Sequence, residues 1–285
     1  MKNNFYLTNK TLKKEINYYN HSNKLQILLY GNEANELINA LSARDINNII
    51  DNSFYTFFLY KKKILDEVLI IKFSNIKYLI ISNKVNVYTK LKKLKPKYNI
   101  STLIITKEYY IYSFHGNIDS LKSNNKLQPI NRQGYNHLLY IEHKNKHFQI
   151  INFLSNFHEL SIDNYNYFLY NNNVITSVNI KNKKIKLNII KMLYSCDNIN
   201  FYIKPVLLTI KKYESTLNFL PTKGSKIFNS SKKQIGFINQ YYTVKNKRYP
   251  FIIAVIYKYR FSKTAYTIDK YSKNRIPIKY IPLYR

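Results

Sequence analysis

The chain has 285 residues, enough to bury a sizeable core and to be divided into two or three domains. Its 46 Lys and Arg residues against 15 Asp and Glu give a formal net charge of +31, a balance typical of proteins that bind nucleic acid or anionic membranes. Only six of these basic residues are Arg, although phosphate-binding surfaces use Arg as well as Lys. The many Lys, Asn, Ile and Tyr residues indicate an A/T-rich coding sequence instead, so nucleic acid is not the expected partner.

The remaining composition argues against secretion, membrane insertion and cysteine chemistry. A single cysteine, Cys196, excludes an internal disulfide and a cysteine-based zinc site. The apolar run 251–257 is far shorter than the roughly 20 residues of a membrane-spanning helix, and no signal-peptide core follows Met1. A cytoplasmic location is expected, with a mitochondrial one as the alternative because residues 1–24 are basic and poor in acids.

The first predicted unit in chain order is a strand, a turn and a helix. Residues 25–31 predict a strand that ends in a glycine turn, and residues 32–41 predict a helix with Asn32 as its N-cap. Leu37, Ile38 and Leu41 share one face of that helix and are expected to be buried.

An acidic pair interrupts the most apolar part of the chain. Residues 54–59 and the β-branched run from Val68 predict two strands joined by a tight, lysine-rich connection, with Asp66 and Glu67 between them. Carboxylates beside an apolar segment need a defined partner. The alternative is a solvated pair that offsets the neighbouring lysines.

Further elements follow as far as the C-terminus. Residues 88–97 predict a solvated helix, 102–106 and 109–114 predict strands, 122–126 a loop and 150–154 a helix. From residue 204 short apolar runs alternate with polar turns, which predicts a small β-barrel or jelly roll. The runs are 206–210, 224–228, 234–238, 251–255, 264–268 and 276–280.

Two motifs agree in order with one known family. Tyr55-Thr56, the stretch 64–68 (ILDEV) and the stretch 79–83 (LIISN) resemble the Y-T-x-x-L, I-L-D-D-L/V and L-V-V-N segments of the glycine cleavage system T-protein (aminomethyltransferase) family. The stretch 131–142 resembles that family's R-T-G-Y-T-G-E-x-G-[FY]-E-I block. All five glycines fall at turns where the family pattern has one, and the resemblance covers about residues 20–285.

The resemblance implies an α+β fold of the folate-binding aminomethyltransferase type, multi-lobed like a cloverleaf, with a C-terminal β-barrel or jelly-roll domain. Residues 1–203 would form the two-lobed folate-binding region and residues 204–285 the barrel. The implied activity belongs to glycine catabolism: a one-carbon unit passes from the aminomethyl-lipoyl carrier H-protein to tetrahydrofolate, and ammonia is released. The implied partners are therefore H-protein and tetrahydrofolate, with no membrane and no metal.

The resemblance also assigns site residues. Asp66 would be the catalytic carboxylate, and Tyr55, Asn83, Tyr135 and Glu142 would bind tetrahydrofolate. Because strand residues seven apart point to opposite faces, an intervening turn is predicted to bring Tyr135 and Glu142 together.

Departures from the family pattern leave alternatives open. Lys62 and Lys63 replace two glycines in the first motif, and His137, Leu138 and Tyr140 replace a glycine, an acid and a glycine in the second. One alternative is the folate-binding paralogue that helps to mature iron–sulfur proteins, although 223–225 (KGS) lacks its cysteine. Another is a noncatalytic, basic RNA- or ribosome-associated member. Glu142 alone is typical of a surface ion pair.

Overall fold

The computed structural model describes residues 15–49, 51–61, 63–172, 174, 185–186, 189–190, 208–215, 222–242, 251–268 and 274–281. The chain divides into two compact units, Met1–Val174 and Ile175–Arg285. The predicted domain boundary between residues 203 and 204 lies outside the described residues, as does Cys196. Among the described helices, none is long and apolar enough to cross a membrane.

Among its described residues, the first unit contains two five-stranded sheets and four α-helices. Its strands are β1 (Ile16–Asn20), β2 (Leu25–Tyr30), β3 (Ser53–Tyr60), β4 (Lys63–Ser74), β5 (Lys77–Ser82), β6 (Ser101–Ile104), β7 (Tyr109–Gly116), β8 (Leu127–Arg132), β9 (Tyr135–His143) and β10 (His158–Glu159). Its helices are α1 (Ala34–Leu41), α2 (Val85–Leu94), α3 (His147–Leu154) and α4 (Ile162–Asn171). The sheet orders are β10-β1-β7-β9-β8 and β3-β4-β5-β2-β6.

Helices α1 and α2 cover one face of the β3-β4-β5-β2-β6 sheet. Leu37, Ile38 and Leu41 of α1 are buried as predicted, because they form the apolar stripe that faces the sheet. The prediction of Asn32 as N-cap is wrong, since the N-cap residue is Glu33. Glu33 makes no cap bond and its carboxylate instead accepts from the backbone N–H of Asn99.

The predicted hairpin is present as β3 and β4, but its second strand begins earlier than expected. Strand β4 starts at Lys63, so Asp66 and Glu67 lie within the strand and not between strands. Phe57 pairs with Glu67 and Phe58 pairs with Asp66, before a β-bulge shifts the register. Both acids are therefore part of the sheet, and successive strand residues point to opposite faces.

A tight hairpin joins β8 to β9. Arg132 pairs with Tyr135, and the two turn residues Gln133 and Gly134 have φ of 55° and 86°, the left-handed values of a type I′ turn. Strand β9 then continues without interruption to His143. The predicted turn between Tyr135 and Glu142 is therefore absent, and seven residues of extended strand separate them by about 23 Å.

The second unit contains the predicted barrel. Its strands are β11 (Leu208–Ser215), β12 (Lys226–Phe228), β13 (Gln234–Tyr242), β14 (Phe251–Tyr257), β15 (Thr264–Ile268) and β16 (Arg275–Ile281). They close in the order β11-β14-β13-β12-β15-β16. Gly236 lies inside β13 and not at the turn expected of it, and a Cβ there would meet the carbonyl oxygen of Val255. The glycine permits close approach of two backbones.

Candidate functional site

Asp66 is a buried carboxylate held by the connection between β5 and α2. Its side chain accepts two hydrogen bonds on Oδ2, from Ser82 Oγ at 2.8 Å and from the backbone N–H of Asn83 at 2.8 Å. Lys84 Nζ lies 3.7 Å from Oδ1, and Asp66 is only 6% exposed. Asn83 and Lys84 are exposed, so the carboxylate lies just beneath the surface of the unit.

Glu67 points to the opposite face of the same strand and joins the two sheets. Arg132 at the end of β8 grips it with two bonds, Nη2 to Oε2 at 2.7 Å and Nε to Oε1 at 3.2 Å. Gln133 Nε2 also donates to Oε1 at 3.2 Å. Glu67 is 8% exposed, so the alternative of a solvated acidic pair is wrong.

Arg132 organises the aromatic groups around this ion pair. Its Nη1 donates to Tyr165 Oη of α4 at 3.1 Å, and its guanidinium carbon lies 4.7 Å from the centre of the Tyr55 ring. Burial alone would lower the pKa of Arg132, but Glu67 outweighs it and the pKa stays well above the ordinary value. The sequence motif included Arg132 but assigned it no role.

Tyr55 lies in β3 and pairs across the sheet with Leu69 of β4, so the two side chains share a face. Leu69 is two residues beyond Glu67 and points to the same face as Glu67, so Tyr55 lies on that face as well. Its ring is buried, and its hydroxyl makes no hydrogen bond of ordinary length with the described residues. Burial, and then the nearby Tyr165, raise the pKa of Tyr55 well above its usual value. The hydroxyl is therefore protonated and able to donate.

Tyr135 belongs to a second group of stacked rings at the start of β9. Its hydroxyl lies 3.1 Å from His115 Nδ1, and its ring centre is 5.4 Å from that of His137. The His137 ring is in turn 5.9 Å from the Tyr55 ring, so His137 connects the two predicted tyrosines. Burial lowers the pKa of His137 to about 3, and neither of its ring nitrogens has a hydrogen-bond partner of ordinary length among the described residues.

A chain of hydrogen bonds continues from His115 into the core. Ser113 Oγ lies 2.8 Å from Nε2 of His115 and 2.8 Å from Nε2 of His21. Burial lowers the pKa of both histidines well below the ordinary value, so both are neutral near pH 7. Sequence reasoning missed the cluster because three histidines from distant segments carry no common spacing signal.

Glu142 is not part of this group. It lies near the far end of β9, where Oε1 is 3.2 Å from Lys146 Nζ and accepts the backbone N–H of His143 at 3.2 Å. Glu142 therefore belongs to an ion pair with Lys146, as the alternative to a folate-binding role predicted. Of the five predicted site residues, Asp66 and Asn83 meet on one face of β4, whereas Tyr55 and Tyr135 lie near the Glu67–Arg132 pair on the other face. Glu142 is remote from Tyr135.

The predicted site residues belong neither to a metal-binding cluster of the described residues nor to the surface cleft beside β1 and β10. Within the described part of the chain, no group of three or more His, Cys, Asp and Glu side chains could hold a metal ion. A surface cleft of about 490 Å³ contains none of the predicted site residues. Its lining consists of Glu15, Ile16, Asn117, Ser120, Ser155, Asn156, Phe157 and His158.

Comparison with known proteins identifies a shared fold. No family model and no curated protein matches the sequence. The structure is similar to that of the glycine cleavage system aminomethyltransferase T from Bartonella henselae, with a TM-score of 0.65 over 95% of this chain and 86% of that chain. The two sequences are only 11% identical, so the similarity concerns the fold and not the activity. The chain therefore has an aminomethyltransferase-like fold of mixed helices and sheets with a closed six-stranded barrel.

Proposed function

We propose that this chain is a tetrahydrofolate-dependent aminomethyltransferase with Asp66 as its catalytic carboxylate. It would take the aminomethyl group from the lipoyl arm of a carrier H-protein, deliver the carbon to tetrahydrofolate and release ammonia. The shared fold supports the class of reaction. The observation that carries the proposal is the fixed, nearly buried carboxylate of Asp66.

The geometry of Asp66 suits this role. Ser82 and Asn83 hold Oδ2, which leaves Oδ1 with only the exposed Lys84 at 3.7 Å among its described contacts. A preorganised carboxylate can orient the folate amine and offset the positive charge that develops as the carbon is transferred. The exposed positions of Asn83 and Lys84 would let a substrate approach from solvent.

The proposed folate contacts are Tyr55, Asn83 and Tyr135, without Glu142. A pterin ring offers both hydrogen-bond donors and acceptors. Within the part of the chain that the structure describes, the buried Tyr55 hydroxyl and His137 ring nitrogens have no hydrogen-bond partner at ordinary distance, which fits the recognition of such a ring. Tyr55 can donate and neutral His137 can accept.

The test is a pair of measurements on the purified full chain with tetrahydrofolate and aminomethylated H-protein. We expect ammonia release from the wild type. Asp66→Asn should lower turnover by roughly 10²- to 10⁴-fold, because the charge is lost while the amide oxygen still accepts from Ser82 and Asn83. Tetrahydrofolate affinity should change by less than about threefold, since an unchanged affinity marks an interaction made only in the transition state.

The matched control is Asp119→Asn, which neutralises an exposed aspartate that pairs with Lys122 and belongs to neither sequence motif. It should leave turnover unchanged. Equal activity of Asp66→Asn and wild type would remove Asp66 from the mechanism. A wild-type chain that neither binds tetrahydrofolate nor releases ammonia would refute the proposal as a whole.

One observation favours a second candidate, the noncatalytic RNA-associated protein. Between Lys84 and Lys97, the α2 region contains six lysines and no acidic residue. RNA bound through these lysines should dissociate steeply as salt rises, because counterions are released on binding. Tetrahydrofolate bound in a pocket should be almost insensitive to salt, so titrations at two salt concentrations separate the candidates.

A further inference from the structure

One outer edge of the β3-β4-β5-β2-β6 sheet is the strand β6, and among the described residues no strand pairs with its outer side. The backbone N–H of Ile105, the residue after β6, donates to the Gln26 carbonyl oxygen of β2 at 2.9 Å. Backbone groups of an antiparallel strand point alternately toward and away from the neighbouring strand. The N–H and C=O groups of Thr102 and Ile104 therefore point away from β2 and form the outer edge.

The side chains of this edge are apolar and exposed. Leu103 is 53% exposed and Ile104 is 43% exposed. The two side chains point to opposite faces of the sheet, because successive residues of a strand alternate. A helix or a flat surface placed on one face could cover only one of them. A strand added beside β6 lies in the plane of the sheet and can cover both.

The sequence of the edge lacks the residues that usually protect an edge strand. Residues 98–106 contain no Lys, Arg, Asp, Glu or Pro, although the whole chain has 46 basic residues. Natural edge strands are commonly guarded by charged side chains or proline, which discourage pairing with another chain. Strand β6 has only four residues, so a short linear segment matches its length.

Lysines flank this uncharged stretch. All charged residues between positions 68 and 107 are lysines, and Lys97 and Lys107 at the two ends of the stretch are exposed. The acids beside the stretch already have partners, which are Lys144 for Glu108 and the Asn99 N–H for Glu33. A segment with acidic residues on both sides of a short apolar centre complements this edge in charge. A second copy of the chain, with its net charge of +31, would bring lysines against lysines.

We propose that β6 is a docking edge for an extended, acidic peptide segment of a partner protein, which joins the sheet as a sixth strand. Backbone hydrogen bonds to Thr102 and Ile104 provide the affinity, and contacts with Leu103 and Ile104 favour an apolar centre. The flanking lysines select acidic ends. Strands β5 and β2 lie between β6 and the β4 strand of Asp66, so this proposal is independent of the proposed enzymatic site.

The first experiment measures binding of a peptide to the purified full chain by fluorescence anisotropy. The probe is fluorescein-labelled Glu-Asp-Glu-Val-Ile-Val-Leu-Glu-Asp-Glu. We expect saturable binding that weakens as salt rises, because the flanking charges are exposed. A peptide with lysine at each acidic position should bind about tenfold more weakly or worse. The same loss is expected for a peptide that is N-methylated throughout its apolar centre, since it lacks the backbone donors.

The second experiment changes the edge itself. Ile104→Pro removes one outward N–H and leaves the hydrogen bonds to β2 in place, because proline is tolerated at an edge strand where its nitrogen faces solvent. It should lower the affinity for the acidic peptide by about tenfold or more. Ile104→Val is the matched control, since it keeps the N–H and a β-branched side chain, and it should bind like the wild type.

Amide hydrogen exchange gives a readout that needs no variant. In the free chain, the outward amides of Thr102 and Ile104 should exchange faster than the Leu103 amide, which points toward β2. The acidic peptide at saturation should slow exchange at Thr102 and Ile104 by about tenfold or more and leave Leu103 unchanged.

Each contrary result has a definite meaning. Protection of Thr102 and Ile104 in the free chain would show that the edge is already paired and would overturn the proposal. Binding that is unaffected by Ile104→Pro or by the lysine peptide, or no binding at about 1 mM peptide, would overturn it as well. Dimers of the wild type in sedimentation, lost in Ile104→Pro, would assign the edge to a second copy instead. Peptide binding by a chain that releases no ammonia would contradict only the proposed enzymatic function.

Discussion

The buried ion pair between Glu67 and Arg132 is expected to be a main determinant of the stability of the first unit. Glu67→Gln keeps the size of the side chain but removes its charge and one acceptor. Arg132 would then remain buried at 6% exposure without a counter-ion. Breaking one partner of such a pair typically costs about 3–5 kcal/mol, mainly because the remaining charge is uncompensated.

Urea and thermal unfolding measure this loss of stability. For a unit of this size, a loss of about 3–5 kcal/mol corresponds to a fall in melting temperature of roughly 6–20 °C. The double variant Glu67→Met with Arg132→Met should recover most of the loss, since replacing both partners by apolar groups leaves no buried charge. The matched control is Asp119→Asn, which breaks the exposed pair with Lys122 and should cost less than about 0.5 kcal/mol.

An unfolding free energy of Glu67→Gln within about 1 kcal/mol of the wild type would contradict this role of the ion pair. So would a double variant whose loss of stability equals the sum of the losses of its two single variants. Either result would mean that Tyr165 and Gln133 stabilise the guanidinium and the carboxylate separately, without a contribution from their mutual attraction.

Two further predictions concern the three buried histidines of the first unit and one buried glycine of the barrel. Burial keeps three histidines neutral in the folded chain: His21, His115 and His137. Below about pH 6.5 the unfolded chain therefore binds more protons than the folded chain. The free energy of unfolding should fall as the pH drops toward about 3. His137→Leu should reduce this slope by up to about 1.4 kcal/mol per pH unit in urea unfolding, and an unchanged slope would contradict the assignment. In the barrel, Gly236→Ala should cost about 1–3 kcal/mol through contact with the Val255 carbonyl. Gly134→Ala is the control, since it meets no atom within 4 Å and bears only the strain of its positive φ.

The elements with strong local patterns were predictable from sequence. The apolar stripe of α1, the β3–β4 hairpin and the six strands of the barrel each follow from periodicity and turn residues. The start of β4 was not predictable in this way. Asp66 and Glu67 disfavour a strand locally, and only their tertiary partners Ser82 and Arg132 make the extended conformation stable.

The contacts of the site depend on residues distant in the sequence, and this limits what a motif can reveal. The resemblance predicted Asp66 with Asn83, and the two do meet, although Asn83 contributes its backbone N–H and not its side chain. The partnership of Glu67 with Arg132 spans 65 residues and has no spacing signature. The hydrogen-bonded chain from Tyr135 to His21 likewise joins two strands, β9 and β7, and the turn after β1, so only the folded structure brings its members together.

The alternation of side chains along a strand explains both the successes and the failure of the site prediction. Within β4 it directs Asp66 and Glu67 to opposite faces, so one carboxylate can serve chemistry while the other holds two sheets together. Within β9 the same alternation, in a strand without a break, sends Glu142 away from Tyr135. The family pattern has glycines where this chain has His137 and Tyr140, and side chains with a Cβ at those positions favour continued strand over a turn. Because Glu142 is remote from Tyr135, recognition of a pterin beside Tyr135 would have to use the groups near Arg132.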